Sequence, residues 1–229
     1  MRPTIKTTLH LVGALGAVLG FLALPYLVFF RASVAYELFF NQKIFYYHVP
    51  AAWVMFLSIF VCGIASIVFL ASRRPAWDDA AAAAGDLVVV FGAIVLSTGP
   101  IWAKAAWGVP WVWDARLTSS LLLWMIFIAY ALVRRYGGLG AERLAAGLAV
   151  FGMIDVPLVY FAVNFWKTQH PTNRVVPGLP PDMRTAFLVG MLSYTLFFVV
   201  LYVARLGIAR GERRMAEVTD LAVETGALE

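Results

Sequence analysis

Apolar residues in this chain fall into six long runs, and each run ends at charged residues. In chain order the runs are Leu11–Phe30, Val49–Ser72, Leu87–Ala103, Leu117–Val133, Leu144–Trp166 and Thr185–Ala204. A helix needs about 20 apolar residues to cross the hydrocarbon layer of a bilayer, and slightly shorter runs can borrow interfacial residues at their ends. The pattern therefore predicts an all-α, polytopic membrane protein, a six-transmembrane-helix bundle over residues 1–206. A charged tail over residues 207–229 follows it.

The composition narrows the class of protein further. Of 229 residues, 62% are hydrophobic and only 14% are charged, with a mean hydropathy of +0.82. A soluble domain is about half apolar and a quarter charged. The high apolar content excludes a soluble globular enzyme, a disordered chain and a nucleic-acid binder. It also makes the lipid bilayer the main partner of the chain. The first run exceeds the apolar segment of a secretory signal, so we expect it to be retained.

Basic residues predict the orientation, because they concentrate at the cytoplasmic ends of membrane spans. With the N-terminus inside, eleven basic residues lie at cytoplasmic ends: Arg2, Lys6, Arg73, Arg74, Arg134, Arg135, Arg143, Arg205, Arg210, Arg213 and Arg214. The other ends hold the remaining seven. We therefore expect an N-in, C-in membrane protein. Its external loops are 31–48, 104–117 and 167–185, and its tail is cytoplasmic.

The second external loop carries a cluster of tryptophans. Residues 107–118 read WGVPWVWDARLT, which places Trp107, Trp111 and Trp113 close together between Gly and Pro residues. A single tryptophan near a membrane surface is typical of an interfacial belt. The cluster is denser than a belt requires, and it predicts a flat aromatic shelf at the external surface. Such a shelf suits a large planar apolar ligand.

Two histidines lie on the same predicted side as this loop, His48 before the second span and His170 in the third external loop. Taken singly, each is an ordinary interfacial residue. As a pair beside an aromatic shelf they are candidate axial ligands of a haem iron. One cysteine and no Cys-x-x-Cys-His exclude attachment of haem through thioether bonds. The candidate cations for the haem propionates are Arg116, which is the best placed, and Lys104, Arg174 and Arg184.

Four other features leave alternatives open. Asp114 could orient Arg116 or a ring nitrogen, or simply cap the helix that begins near Thr118. Asp155, inside the fifth span, is either a functional acid or a structural carboxyl beside Pro157. A GxxxG pattern at Gly16 and Gly20 could dock a partner helix. The stretch 97–100, STGP, marks a break in the third span.

These segments resemble a known family. Residues 107–118 are similar to the tryptophan-rich WWD signature of haem-handling membrane proteins, and residues 45–53, FYYHVPAAW, are similar to the segment around their first external histidine. The match is closest to the cytochrome c maturation protein C family, CcmC, and covers roughly residues 10–206. The resemblance implies haem b, held non-covalently at the periplasmic surface by His48 and His170. Trp107, Trp111, Trp113 and Asp114 would form the platform, and Arg116 would hold a propionate or orient a neighbour.

The resemblance also implies partners. Such proteins deliver haem to the haem chaperone CcmE, within an ABC transporter-type complex with CcmA, CcmB and the single-span CcmD. We expect no enzyme activity, because the chain has no Walker A, HExxH or GxSxG motif and any ATP hydrolysis must come from a partner. Two alternatives stay open: a b-type cytochrome subunit of a respiratory complex, and a haem-independent small-molecule transporter subunit.

Overall fold

The structure, a computed structural model, describes residues 5–35, 38–171 and 175–225, with residues 5 and 6 described by their backbone alone. Over these ranges it is helical and contains no strand. The long helices are α1 (Ile5–Tyr26), α2 (Phe45–Ser72), α3 (Pro75–Trp107), α4 (Ala115–Tyr136), α5 (Ala141–Phe165) and α6 (Pro181–Glu224). Among the described residues, six helices are long and apolar enough to cross a membrane, which confirms the predicted all-α class.

The helices pack as pairs around a central α2–α3 pair. α2 lies along α3, α4 along α5 and α1 along α6, while α2 also contacts α5 and α6. One large apolar core joins α2 through α6, with Ile59, Phe91 and Phe127 fully enclosed. A smaller cluster around Leu24 and Phe187 packs α1 against α6. The outer faces keep bulky apolar side chains exposed, among them Leu122 and Phe151. Exposure of this kind suits a lipid environment, because lipid tails are as apolar as leucine.

Two short helices complete the connection between α1 and α2. A π-helix, Leu27–Arg31, continues α1, and a 3-10 helix, Phe39–Ile44, leads into α2. The buried Lys43 Nζ donates hydrogen bonds to Ala32 O at 2.7 Å and to Ser33 O at 3.3 Å. A buried ammonium group needs such acceptors to offset its lost hydration. Lys43 therefore fastens the end of the π-helix to the start of α2.

Glycines bring α1 and α6 into close contact. A Cβ added at Gly20 would come within 2.1 Å of Ser193 Oγ, and one at Gly16 within 3.1 Å of Leu196 Cδ1. The GxxxG face is therefore occupied by α6 of the same chain. The expectation that a partner helix docks there is wrong, since the sequence pattern predicts a close contact without saying which helix makes it.

Ion pairs join the start of α3 to two other helices. Asp78 pairs with Arg134 of α4, and Asp79 with Arg213 of α6 at 2.7 Å. Asp86 pairs with Arg205 at 2.6 Å. Because these contacts hold the end of α6, the charged residues after 206 continue the same helix to Glu224.

The helices also extend past the apolar runs at the opposite end. His48, placed in a loop by the sequence, lies in the first turn of α2, and Pro50 follows it in the second turn. The non-helical part of the second loop shrinks to residues 108–114, and α3 runs unbroken through Pro100, so the predicted break after Ser97 is wrong. The reason is that charges mark where the hydrocarbon layer ends, whereas helical hydrogen bonding continues into the interface.

Candidate functional site

The two histidines and the tryptophan loop meet at one end of the bundle. His48 lies in the first turn of α2, the loop 108–114 joins α3 to α4, and His170 lies in the loop between α5 and α6. A hydrogen bond joins Asp114 of the tryptophan loop to Gln169 in the loop of His170, and another joins His48 to Thr98 of α3. The ion pairs of Asp78 and Asp79 lie at the other end of α3. The structure therefore brings the sequence candidates together from three separate parts of the chain.

The tryptophans form two perpendicular pairs. Trp102 and Trp107 have ring centroids 4.9 Å apart at an angle of 77°, and Trp111 and Trp113 have centroids 5.7 Å apart at 76°. The predicted flat shelf is therefore wrong in geometry, because edge-to-face packing of the ring quadrupoles is preferred over coplanar rings. Gly108, with φ +80°, ends α3 and turns the chain between the pairs. Trp113 is the outermost, with 77% of its surface exposed.

Trp111 carries a buried donor without an acceptor. Its Nε1 is shielded from solvent and has no hydrogen-bond partner in the part of the chain that the structure describes. Buried polar groups are nearly always paired, and an unpaired one costs about 1–3 kcal/mol. The indole N–H is therefore available to an acceptor on a bound molecule.

Asp114 links the tryptophan loop to the histidine loop. Its Oδ1 accepts a hydrogen bond from Leu117 N at 2.8 Å and caps α4, which begins at Ala115. Its Oδ2 accepts one from Gln169 N at 3.0 Å, next to His170. The helix-cap interpretation is confirmed. The second bond, which sequence analysis missed, sets where the His170 loop lies.

Arg116 is the candidate cation nearest the histidines. Its Nη1 donates to Val159 O of α5, and its charge acts on both His48 and His170. Its other N–H groups have no partner among the described residues. By contrast, Lys104 Nζ donates to Gly108 O at 2.8 Å, and Arg184 Nη2 donates to Leu179 O at 3.1 Å. Arg174 lies outside the described residues.

His48 is oriented by a threonine of the neighbouring helix. The distance from His48 Nδ1 to Thr98 Oγ1 is 2.8 Å, and Thr98 Oγ1 itself donates to Ile94 O at 2.7 Å. Because the hydroxyl proton is committed to Ile94, the hydroxyl accepts from His48 and Nδ1 carries the proton. The other ring nitrogen, Nε2, then keeps its lone pair. Sequence analysis missed Thr98 in this role, although a polar residue inside an apolar run was the available signal.

His170 is oriented in the same way by its own loop. Its Nδ1 lies 2.9 Å from Pro171 O, and a carbonyl can only accept, so Nδ1 is again the donor. Burial first, and the Arg116 charge second, lower the pKa of His170 to about 4. The imidazole is therefore neutral near pH 7, with an unprotonated Nε2.

These groups fit a haem. A haem iron takes up to two axial ligands, and neutral imidazole is one of the commonest. Metal-bound histidines usually donate their second N–H to an oxygen, as both do here. Trp111 Nε1 and Arg116 offer donors for propionate oxygens, and the tryptophan pairs offer apolar surface. His48 and His170 are close enough that a proton on His170 would act on His48.

Two further features lie near this end. A cleft of about 360 Å³ opens between the 3-10 helix and α3 and is lined by Phe40, Tyr47 and Trp102, among others. Trp102 therefore connects it to the tryptophan loop. Asp155 lies on α5, one helical turn below the Val159 carbonyl that Arg116 contacts, and no described side chain pairs with it.

Comparison with known proteins gives a family. The family model described as CcmC, heme exporter protein C, matches residues 2–220. The protein "Heme exporter protein C" of Bradyrhizobium diazoefficiens is 38% identical over 171 residues, which is 71% of this chain and 64% of the relative. The Escherichia coli K12 protein of the same name is 31% identical over 196 residues, 81% of this chain and 78% of the relative.

A plant relative is also similar. A "Putative cytochrome c biosynthesis ccmC-like mitochondrial protein" of Marchantia polymorpha is 35% identical over 139 residues, 59% of this chain. The match covers 58% of that relative, so this chain spans less than two thirds of the length of both the plant protein and the Bradyrhizobium protein.

Proposed function

Because this chain belongs to the heme exporter protein C family, we propose that it binds haem at one surface of a membrane and passes it on for cytochrome c biogenesis. One observation carries the proposal. Two histidines from distant parts of the chain lie at the same end of the bundle, each with Nδ1 committed to an oxygen. Each therefore offers an unprotonated Nε2 to an iron.

In the proposed site, haem b is cargo held without a covalent bond. His48 and His170 are the axial ligands, and Trp107, Trp111 and Trp113 supply apolar surface around the ring. Arg116 and the Trp111 N–H receive propionate oxygens, since an arginine can form two parallel hydrogen bonds to a carboxylate. Asp114 belongs to the haem platform and also fixes the loop of His170.

The proposed orientation puts the site on the periplasmic face of the bacterial inner membrane, with both termini inside. The excess of basic residues at the other end of the bundle supports it. From that face the protein would deliver haem to the chaperone CcmE, with CcmA, CcmB and CcmD as the other members of an ABC-type complex. We expect the chain itself to have no enzyme activity, because its sequence contains no Walker A, HExxH or GxSxG motif.

Visible spectra of the purified full-length protein test the site. Haem-depleted protein is titrated with haemin and compared with His48→Ala, His170→Ala and His10→Ala variants. His10 lies on α1, far from the site, and serves as the matched control. We expect the wild type and His10→Ala to give the spectrum of a six-coordinate, low-spin haem with two imidazole ligands. Either site variant should lose that spectrum and bind haemin more weakly.

Three results would count against the proposal. Protein that gives no Soret band at any haemin concentration would favour the haem-independent transporter subunit. Site variants with unchanged spectra would show that the axial ligands are other residues. A haem that stays bound through redox cycling with quinone, and does not pass to the chaperone, would favour a b-type cytochrome subunit.

A further inference from the structure

We propose that Thr98 is a positioning residue for haem, one that selects the ring form and direction of His48. The inference rests on the proposed function, because it concerns the axial ligand of that site. The His48–Thr98 hydrogen bond joins side chains that lie 50 residues apart in sequence, on α2 and α3. No contact between Thr98 and the iron is needed, since the hydroxyl acts through the imidazole.

The first step is the direction of the hydrogen bond. Thr98 Oγ1 lies 2.7 Å from Ile94 O and 3.4 Å from Val95 O. Both are carbonyls and only accept, so the single hydroxyl proton points along the helix. Towards His48 the oxygen presents a lone pair. His48 Nδ1 must then be the donor, which leaves Nε2 as the only nitrogen that can bind iron.

The second step is the orientation of the ring. A Cβ added at Gly99 would lie 3.4 Å from His48 Cε1, so the imidazole faces the backbone of α3 with room for no more than about one methyl group between them. The same short stretch of α3 supplies both the acceptor and the surface. The hydrogen bond at Nδ1 and the nearby backbone on the Cε1 side together restrict the ring plane and the direction of the Nε2 lone pair.

The third step is the asymmetry between the two histidines. His170 donates to the carbonyl of the next residue, Pro171, so both partners of this hydrogen bond belong to the same loop. His48 depends on a side chain of a different helix. A side-chain substitution can therefore remove the partner of His48 and leave the partner of His170 intact.

The consequence for haem is chemical. A histidine whose Nδ1 proton is hydrogen-bonded is a more basic ligand at Nε2, and loss of such a partner typically lowers metal affinity by about 10- to 100-fold. A more basic ligand stabilises ferric over ferrous iron. Removing the Thr98 hydroxyl should therefore weaken haemin binding and move the midpoint potential of the bound haem to a more positive value.

Thr98→Val is the test, since valine keeps the shape and removes the hydroxyl. Haem-depleted full-length protein in detergent is titrated with haemin, and the midpoint potential of the bound haem is measured. We expect weakening of about 10- to 100-fold and a positive shift of the potential. Thr98→Ser, which keeps the hydroxyl, should restore both values.

Thr195→Val is the matched control. Thr195 Oγ1 donates to Met191 O at 2.7 Å and accepts from Trp53 Nε1 at 3.2 Å, the same arrangement on another helix with no histidine. It should change neither the affinity nor the potential.

Nitrogen NMR provides a readout that does not need haem. In haem-free protein labelled with ¹⁵N-histidine, the His48 ring should show a protonated Nδ1 and an unprotonated Nε2. In Thr98→Val this preference should weaken. His10→Gln and His170→Gln variants assign the signals.

The outcomes separate this inference from the proposed function. If His48→Ala loses the bis-imidazole spectrum but Thr98→Val keeps wild-type affinity and potential, only the role of Thr98 is wrong. The same holds if Thr98→Ser behaves like Thr98→Val, or if Nδ1 of His48 is unprotonated in the wild type. If His48→Ala keeps the bis-imidazole spectrum, the proposed site itself is wrong.

Discussion

The Asp114 carboxylate holds the main chain of Gln169, with Oδ2 3.0 Å from the amide nitrogen, and so ties the tryptophan loop to the loop of His170. The other carboxylate oxygen caps α4. One oxygen of Asp114 thus caps a helix and the other holds the neighbouring loop. Mutation can therefore remove one contact and keep the other.

We expect Asp114→Asn to keep the helix cap and weaken the tie to Gln169. An amide has one oxygen acceptor, and its N–H₂ group cannot accept from Gln169 N. Haem retention should fall, while thermal unfolding stays near that of the wild type. Asp114→Ala should lose both contacts and cost a further 0.5–2 kcal/mol, roughly the value of a helix cap.

Haem content after purification and the thermal midpoint are measured together on both variants. Equal haem retention in Asp114→Asn and the wild type would show that the Gln169 contact does not position His170. Equal loss of stability in both variants would contradict the separation of the two tasks.

Gly20→Ala tests the contact between α1 and α6. The new Cβ would lie 2.1 Å from Ser193 Oγ and 3.0 Å from Ser193 Cβ, and overpacking of this kind costs about 1–3 kcal/mol. In a Ser193→Gly background the same substitution should cost little, because the nearest remaining atom is Ser193 Cα at 3.5 Å.

Gly13→Ala is the control for this pair, since its Cβ would meet Val200 Cγ2 at an ordinary 3.9 Å. Thermal unfolding in detergent is measured for the wild type, the three single variants and the double variant. An equal cost of Gly20→Ala in both backgrounds would mean that Ser193 does not set the spacing of the two helices.

Arg213→Ala should destabilise the bundle because it leaves the Asp79 carboxylate without its ion-pair partner. The Asp79 side chain is only 5% exposed, and Arg213 contacts both of its oxygens. Removing one partner of a buried polar pair costs about 1–3 kcal/mol. Adding Asp79→Asn to Arg213→Ala should recover part of this loss, because no buried charge remains.

Arg214→Ala is the matched control, since Arg214 is an exposed neighbour on the same helix. It should change stability by no more than about 0.5 kcal/mol. Chemical or thermal unfolding distinguishes these variants. A double variant less stable than Arg213→Ala alone would contradict the buried-charge explanation.

The haem-free protein should lose stability as the pH falls from about 6.5 towards 4. The pKa of His170 is lowered to about 4 by burial and by Arg116, whereas an unfolded histidine has a pKa near 6.5. Between these values the unfolded chain binds a proton that the folded chain does not. The free energy of unfolding therefore decreases as the pH is lowered. The contribution is fully present above about pH 6.5.

His170→Asn should flatten this part of the stability curve. NMR titration of His170 should give a midpoint near 4, and Arg116→Gln should move it upwards because one of the two causes is removed. Lys104→Gln, a cation at the same end that does not act on His170, should leave the midpoint unchanged. A midpoint near 6.5 in the wild type would contradict the environment described for this ring.

The sequence by itself determined the number of spans and the chemical types at the site. Long apolar runs such as Val49–Ser72 have one stable form in lipid, because every backbone group must be hydrogen-bonded within the segment. The cluster of Trp107, Trp111 and Trp113 and the two histidines could be read directly from residue types. The capping role of Asp114 was one of two alternatives that the local sequence offered.

Only the tertiary structure decided which groups touch. The bond from His48 to Thr98, the tie from Asp114 to Gln169 and the packing of Gly20 on Ser193 all join residues far apart in the chain. Such contacts depend on the rotation and depth of each helix, and an apolar run fixes neither. Ring angles depend likewise on side-chain packing, which is why the tryptophans form perpendicular pairs where the sequence predicted a flat shelf.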